Sequence, residues 1–406
     1  MTNVLERYPW MKRWESLLFV ILCAAVLINI SLSEHYFNVD NLANIFHLSI
    51  EKAFVVLVMA LVIINGEIDL SVASVMGLSA AVLAHEYEQG SPLETGIAYA
   101  MLAGLACGLA NGFFVAYLRI PSLVVTLAGL IAYRGAARIL LEDRSVGDFP
   151  DWFTSFALDE VSVTFPTLLF ILVGLIVIGT LVYQFTNFRQ MITEGGSLLF
   201  RKPSPIGMVL MVGVIALLVL MFALQSGAFE ATTYVFVILY LISLGILQFT
   251  NFGRYIYVIG NNREGAEYAG LRVKQVKITI FVMSALMAAL AGLMYAARVG
   301  NIRANAAEGF ELDIITIVLL GGVSIFGGTG TMVGVGLSLL VVLNLRNGMS
   351  LRNVNDNTRA SVIGALLILS VLIPNWAQTI QRFLPRTLSG DNLALDLENK
   401  EAQEST

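Results

Sequence analysis

The sequence predicts an all-α fold, a polytopic transmembrane helical bundle of about 10–12 membrane segments that include short or broken helices. Three observations lead there. Of the 406 residues, 57% are apolar and only 13% are charged, against about 25% charged in a soluble domain. A soluble surface needs that charge, and lipid removes the need. Apolar stretches approaching the ~20 residues that span a ~30 Å hydrocarbon core recur along the chain. Some are separated only by glycine and short polar runs, the pattern of interrupted helices beside a transport pathway.

Twelve apolar segments follow in order: 17–33, 48–64, 70–86, 95–117, 122–140, 166–184, 206–224, 231–249, 276–297, 312–327, 331–347 and 360–378. A polar tail, 1–16, precedes a membrane domain, 17–380, and a polar, acidic tail, 381–406, is expected to be disordered. The first apolar run lacks a small-residue cleavage site and leads into further helices, so it is read as a span and not as a cleaved signal. Segments 48–64 and 70–86 are separated only by Asn65-Gly-Glu-Ile-Asp69, and 312–327 and 331–347 only by Gly328-Thr-Gly330. Each pair is either a tight hairpin at a membrane face or a broken helix within it. Broken backbone at membrane depth survives only when protein buries it or water lines it.

Positive loops predict orientation. Arg7, Lys12 and Arg13, then Arg189, Arg201 and Lys202, then Arg254, Arg263, Arg272 and Lys274 with Lys277 just beyond, and Arg382 with Arg386 fall on one side of a twelve-span path. That side is expected to be cytoplasmic and to hold both termini. The loops at 86–94 and 141–165, on the other side, are acidic. Arg298, Arg303, Arg346, Arg352 and Arg359 run against the pattern by landing outside.

Composition excludes other classes. A net charge of −5 carries no basic footprint for nucleic acid. Cys23 and Cys107 each lie within an apolar stretch, and His35, His47 and His85 are scattered without metal-ligand spacing. No catalytic constellation stands out, so the chain is not read as an enzyme. The run Gly321–Gly330 lacks the lysine of a phosphate-binding loop and follows no strand; it is read as a flexible or close-packed break. With no nucleotide motif elsewhere, any ATP-driven step needs another subunit.

The break at 65–71 carries the chemistry. Ionisable groups at membrane depth are costly and usually functional. Asn65-Gly66 makes a turn, and Asp69 has two compatible roles, capping the next helix or serving function. Glu67 has no capping task. Gly104, Gly108 and Gly112 lie four apart and let a second backbone approach. Asn111, beside them, forms an interhelical hydrogen bond or lines a path. Tyr133, Arg134 and Arg138 are read as interfacial, with long basic side chains reaching outward. In the loop 251–277, Arg263–Ala269 can form a short helix with Asn261 or Asn262 as cap and Gly270 as stop. That helix docks in a partner's groove or is an ordinary solvated loop. Gln184–Phe188 recurs as Gln248–Phe252, which similar interfacial chemistry explains.

These stretches resemble the permease subunits of bacterial ABC importers for ribose, xylose and rhamnose. Gly66-Glu-Ile-Asp-Leu-Ser-Val-Ala-Ser74 is similar to that family's Gly-Gly-Ile-Asp-Leu-Ser-Val-Gly-Ser motif. Gly253–Asn262, continuing through Glu264, Ala266 and Gly270–Val273, resembles its cytoplasmic coupling region. Leu320–Gly330 and Pro121–Gly129 with Tyr133–Gly135 complete the likeness, in the family's order, over residues 17 to 378. Glu67 and Ala73 replace glycines, and 185–224 is an extra loop and helix; both features look like xylose-type members. The resemblance implies a homodimer or a pair with a similar chain, cytoplasmic ATPase subunits that hold ATP and magnesium, and a periplasmic sugar-binding protein. This chain would itself bind no cofactor. It implies that Asn261, Arg263, Glu264, Ala266, Tyr268 and Gly270 couple to the ATPase. Arg298, Arg303 and Arg352 would meet the binding protein, unless they are simply solvated charge. A neutral sugar would pass hydrogen-bonding groups, for which Asn65, Glu67, Asp69 and Asn111 are the candidates. The competing expectations are a gradient-driven secondary sugar transporter, with Glu67 and Asp69 as ion sites, and a membrane protein that only assembles or senses.

Overall fold

Long apolar runs fold as helices here, and glycine decides where several of them stop. The computed structural model describes residues 14–161 and 229–372, apart from 37, 39, 40, 42–44, 47, 48, 356, 360, 367 and 369–371. The predicted segments 166–184 and 206–224, both terminal tails as far as 13 and from 373, His47 and the first copy of the five-residue repeat lie outside the described residues. Of segment 360–378 only scattered positions up to 372 are described.

In chain order the helices are α1 (Trp14–Leu32), α2 (Ile50–Ile64), α3 (Val72–Glu88), α4 (Leu93–Ala116), α5 (Ser122–Leu141), α6 (Asp151–Leu158), α7 (Ala231–Phe249), α8 (Asn251–Asn261), α9 (Arg263–Tyr268), α10 (Val273–Val299), α11 (Phe310–Leu320) and α12 (Met332–Leu351). Strand is confined to short pairs among the described residues. β1 (Ser145–Gly147) runs antiparallel to β4 (Asn301–Arg303), and β2 (Glu160–Val161) to β3 (Phe229–Glu230). The protein is thus an all-α polytopic bundle. Six described helices, α1, α4, α5, α7, α10 and α12, are long and apolar enough to cross a membrane.

The other principal helices are short. α2, with 15 residues, is about 22 Å long, and α11, with 11, about 16 Å. Neither length covers a hydrocarbon core. Every residue of α2 is buried, because α10, α11, α7 and α12 pack around it. A helix that ends inside the bundle is tolerated only under such cover.

Both short helices end the same way. Gly66, at φ +82°, donates to Ile63 O at 2.9 Å, and the Glu67 N–H donates to Val62 O at 3.1 Å. Gly322, at φ +81°, donates to Leu319 O, and the Val323 N–H donates to Val318 O. This is the paired 5→2 and 6→1 pattern that a left-handed residue closes after a helix. It explains why α11 stops at Leu320 while the apolar pattern ran on to 327.

α10 is the central long helix and lies along α4, α3 and α2. The glycine stripe of α4 makes the first contact possible. A Cβ at Gly104 would lie 2.5 Å from the Ala289 Cβ, and one at Gly108 would lie 2.8 Å from the Val282 Cα. The predicted packing role of these glycines holds. α10 begins at Val273, inside the stretch read as the loop 251–277, so Lys277 belongs to the helix. The outer faces of α4 and α5 expose Leu102, Leu109, Leu127, Ile131 and Ile139, as a lipid-facing surface requires.

Candidate functional site

The site is built around the break between α2 and α3, and two distant segments hold that break by their backbones. The Gly328 N–H donates to Ile64 O at 2.8 Å. A Cβ at Gly260 would lie 1.9 Å from that same carbonyl and 2.7 Å from Gly328 N. A Cβ at Gly327 would lie 2.7 Å from the Gly66 Cα. The break, the end of α8 and the loop between α11 and α12 therefore close on one another where only glycine fits. We call this the glycine end.

Within that frame the polar residues of the break turn inward. Asp69, 1% exposed, accepts from the Ser71 N–H at 3.0 Å and the Ser71 hydroxyl at 2.6 Å on Oδ1. Its Oδ2 accepts from the Ser284 hydroxyl of α10 at 2.9 Å. Asn111 of α4 donates Nδ2–H to Ser71 Oγ at 2.9 Å, and the Tyr133 hydroxyl of α5 donates to Asn111 Oδ1 at 2.9 Å. Five side chains from three helices and the break thus form one buried polar chain. Such a network is secure because each member has a partner. Ser284 lies near the middle of α10, a helix of 27 residues and about 40 Å, so the network is deep in the bundle.

The other carboxylate has a different partner. Glu67 forms an ion pair with Lys277 of α10, and both side chains are at least nine-tenths buried. Asn65 donates Nδ2–H to Ile256 O of α8 at 3.4 Å, while its Oδ1 is buried without a hydrogen-bond partner among the described residues. Asn65, Glu67, Asp69 and Asn111 are all buried. Asp69 and Asn111 share one network, and Glu67 stands beside it in an ion pair. Sequence reasoning missed Ser71, Ser284, Tyr133 and Lys277. Tyr133 is part of the buried network and not an interfacial residue. Its hydroxyl and the serines carry no charge pattern, and only the three-dimensional approach of α4, α5 and α10 brings them together.

α9 protrudes close to the glycine end. Asn262 caps it by accepting from the Gly265 N–H at 2.9 Å, as the sequence suggested. Gly270, at φ +80°, ends it with the same two-bond pattern, Gly270 N–H to Glu267 O and Leu271 N–H to Ala266 O. Arg263 pairs with Glu267 at 3.3 Å. Ala266 is buried as its anchor, and Tyr268 is 92% exposed. Asn261 closes α8 immediately before it, and Glu264 is exposed.

The opposite end of the bundle is rich in charge. Glu51 and Lys52, adjacent on buried α2, pair with Arg298 of α10 and with Asp313 of α11, and Asp313 also pairs with Arg346 of α12. Arg134 of α5 bridges Glu308 at 3.1 Å and Glu311 at 3.5 Å. Arg298 is thus held by a carboxylate of its own chain, whereas Arg303 on β4 and Arg352 after α12 are exposed.

Residues 41–371 match the family described as the permease component of branched-chain amino acid transport systems. The chain belongs to this permease family. It is 32% identical over 363 residues, 88% of this chain and 94% of the relative, to a xylose transport system permease protein of Haemophilus influenzae. It is 27% identical, over 91% of this chain and 95% of the relative, to the ribose import permease protein of Escherichia coli. An autoinducer 2 import system permease protein of Photorhabdus luminescens is also 27% identical, over 86% of this chain and 87% of the relative. No solved structure matches. The permease is a multi-pass membrane protein, and the glycine breaks and buried polar network lie within the region the family covers.

Proposed function

We infer that this permease is the membrane-spanning subunit of an ATP-driven importer that passes a monosaccharide, a pentose or a related sugar, across the bacterial inner membrane. The observation that carries this reading is the 32% identity with a xylose permease along 88% of the chain. A neutral sugar is recognised by hydrogen-bonding groups and needs no counter-charge. The buried amides and hydroxyls near the break supply such groups, and the unpartnered Asn65 Oδ1 is an acceptor in need of a donor. Asn65, Glu67, Asp69 and Asn111 are accordingly placed along the path.

The partners follow from the same likeness. Two permease chains, identical or similar, stand above cytoplasmic ATPase subunits that bind ATP and magnesium. Asn261, Arg263, Glu264, Ala266, Tyr268 and Gly270 form the contact with the ATPase, with exposed Tyr268 as an aromatic anchor. The N- and C-termini face the cytoplasm with α9. A periplasmic sugar-binding protein delivers the sugar at the charged end, where Arg303 and Arg352 are exposed and Arg298 borders them. The gradient-driven alternative is not favoured, since the named relatives are permease components of import systems and Glu67 is already matched by Lys277.

The test is to purify the chain from native membranes in mild detergent and identify what accompanies it by mass spectrometry. A stoichiometric ATP-binding subunit is the expected result. A chain that stays alone in several gentle detergents would overturn the proposal.

A further inference from the structure

Lys277 and Ser284 lie seven residues apart, on one face of α10 two turns along. They hold Glu67 and Asp69, the two carboxylates of the break. α10 is also joined to α9 by a short, hydrogen-bonded connection: the Leu271 N–H reaches Ala266 O at 3.0 Å and the Val273 N–H reaches Leu271 O at 2.8 Å. Lys277 is the fifth residue of α10, so a displacement of α9 reaches it through little more than one helical turn.

The ion pair is an odd choice for stability alone. Two buried charges lose hydration that their attraction only partly restores, and an apolar pair of similar volume is often as stable. Registering one element against another is the better-attested use of such a pair. The two contacts respond differently to movement. Coulomb attraction falls only as the inverse of distance, whereas a hydroxyl–carboxylate bond weakens steeply with distance and angle. On these grounds a shift of α10 would release Asp69 from Ser284 before it released Glu67 from Lys277.

We propose that Glu67 and Lys277 are positioning residues for transport: their ion pair tethers the polar break to α10, so that movement of α9 under its ATPase partner opens the Asp69–Ser284 contact and reorients the path. This rests on the importer reading above and adds the route by which that movement reaches the path.

The test uses the complete transporter, with ATPase and binding protein, in lipid vesicles, and measures ATP hydrolysed per sugar accumulated for whichever of xylose and ribose the wild type takes up. The doubly neutral variant Glu67→Gln/Lys277→Met leaves no uncompensated charge and is expected to assemble. Its ATP consumed per sugar should rise on the order of tenfold, the size of a usual coupling between sites, with hydrolysis itself little changed. A wild-type ratio in that variant would show the pair to be structural only and overturn the proposal. Should the variant fail to assemble, Lys277→Arg must keep the wild-type ratio while Glu67→Asp, with its shorter reach, raises it; equal ratios overturn the tether. A wild-type transporter that hydrolyses ATP yet accumulates neither these nor any related sugar would instead sink the importer reading, and the role of the pair with it.

Discussion

At the glycine end, three segments meet backbone to backbone, whereas at the charged end five helices meet through long side chains. Gly260, Gly327 and Gly328 leave no room for even a methyl group between the break and its neighbours. Glu51, Lys52, Arg134, Arg298, Asp313 and Arg346 span the other end with flexible arms. Backbone contacts of this kind have one geometry. Ion pairs share partners, as Asp313 does between Lys52 and Arg346, and can re-pair when helices shift. The bundle separates the two kinds of contact by the length of α2.

The largest effect should come from breaking the charged end on one side only. Arg298→Met leaves Glu51, 1% exposed, without its guanidinium. An uncompensated buried charge costs about 3–5 kcal/mol, so thermal unfolding in detergent should fall steeply. The double variant Glu51→Gln/Arg298→Met should recover most of that loss. If the single variant unfolds like the wild type, the far end is held by packing and the contrast with the glycine end collapses.

Next in size is Gly260→Ala. Its Cβ would lie 1.9 Å from a backbone carbonyl, and overpacking against atoms that cannot rotate away costs roughly 1–3 kcal/mol, at the upper end here. Gly245→Ala is the matched control, in the interior of α7 with nothing within 4 Å among the described residues. There the lost freedom of the unfolded chain should give a gain of about 0.4–1 kcal/mol. Opposite signs from the same substitution, read by thermal unfolding, would sharpen the comparison; equal signs would break it.

A smaller loss is expected at α9. Gly270 is open to solvent, but its φ of +80° strains any other residue by about 1–2 kcal/mol. Gly270→Ala should therefore shift unfolding only slightly while loosening the α9–α10 connection. Reduced recovery of the ATPase subunit in a pull-down, with the chain still inserted, is the expected outcome.

These contrasts also show what the sequence carried. The bundle was legible because apolar length is a property of single segments, and the stops at Gly66 and Gly270 because left-handed ends select glycine locally. The α4 stripe was legible because its spacing matches the helical repeat. α6 and α8 escaped notice because both are too short to register as spans. The site was half legible. Glu67 and Asp69 stand out as charge inside apolar sequence, and Asn111 as an amide beside a glycine stripe. Their partners do not stand out, since Ser71, Ser284 and Tyr133 are common residues whose role depends on helices far apart in the chain. Lys277 was misleading for a clearer reason, because it adjoins a basic loop in sequence but faces a carboxylate in space. Arg298 and Arg346, which ran against the positive-loop pattern, are each matched by an acidic residue of another helix. Charges neutralised inside the fold do not report on which side of the membrane a loop lies.

The smallest effect on stability should come from Arg303→Ala and Arg352→Ala. Both side chains are exposed, one on β4 opposite Ser145 and one after the end of α12. Removing such a side chain usually changes stability by no more than about 0.5 kcal/mol, so unfolding should be unaltered. Their charge still acts at a distance, because exposed residues at an interface rim change association rates and salt dependence more than they change stability. If the charged end receives the binding protein, the double variant should slow uptake at low ionic strength and lose that difference at high salt, where charges further apart than about 10 Å no longer sense one another. Uptake that is unchanged at every salt concentration would remove these two arginines from the docking surface. The charged end would then be defined by its internal pairs alone.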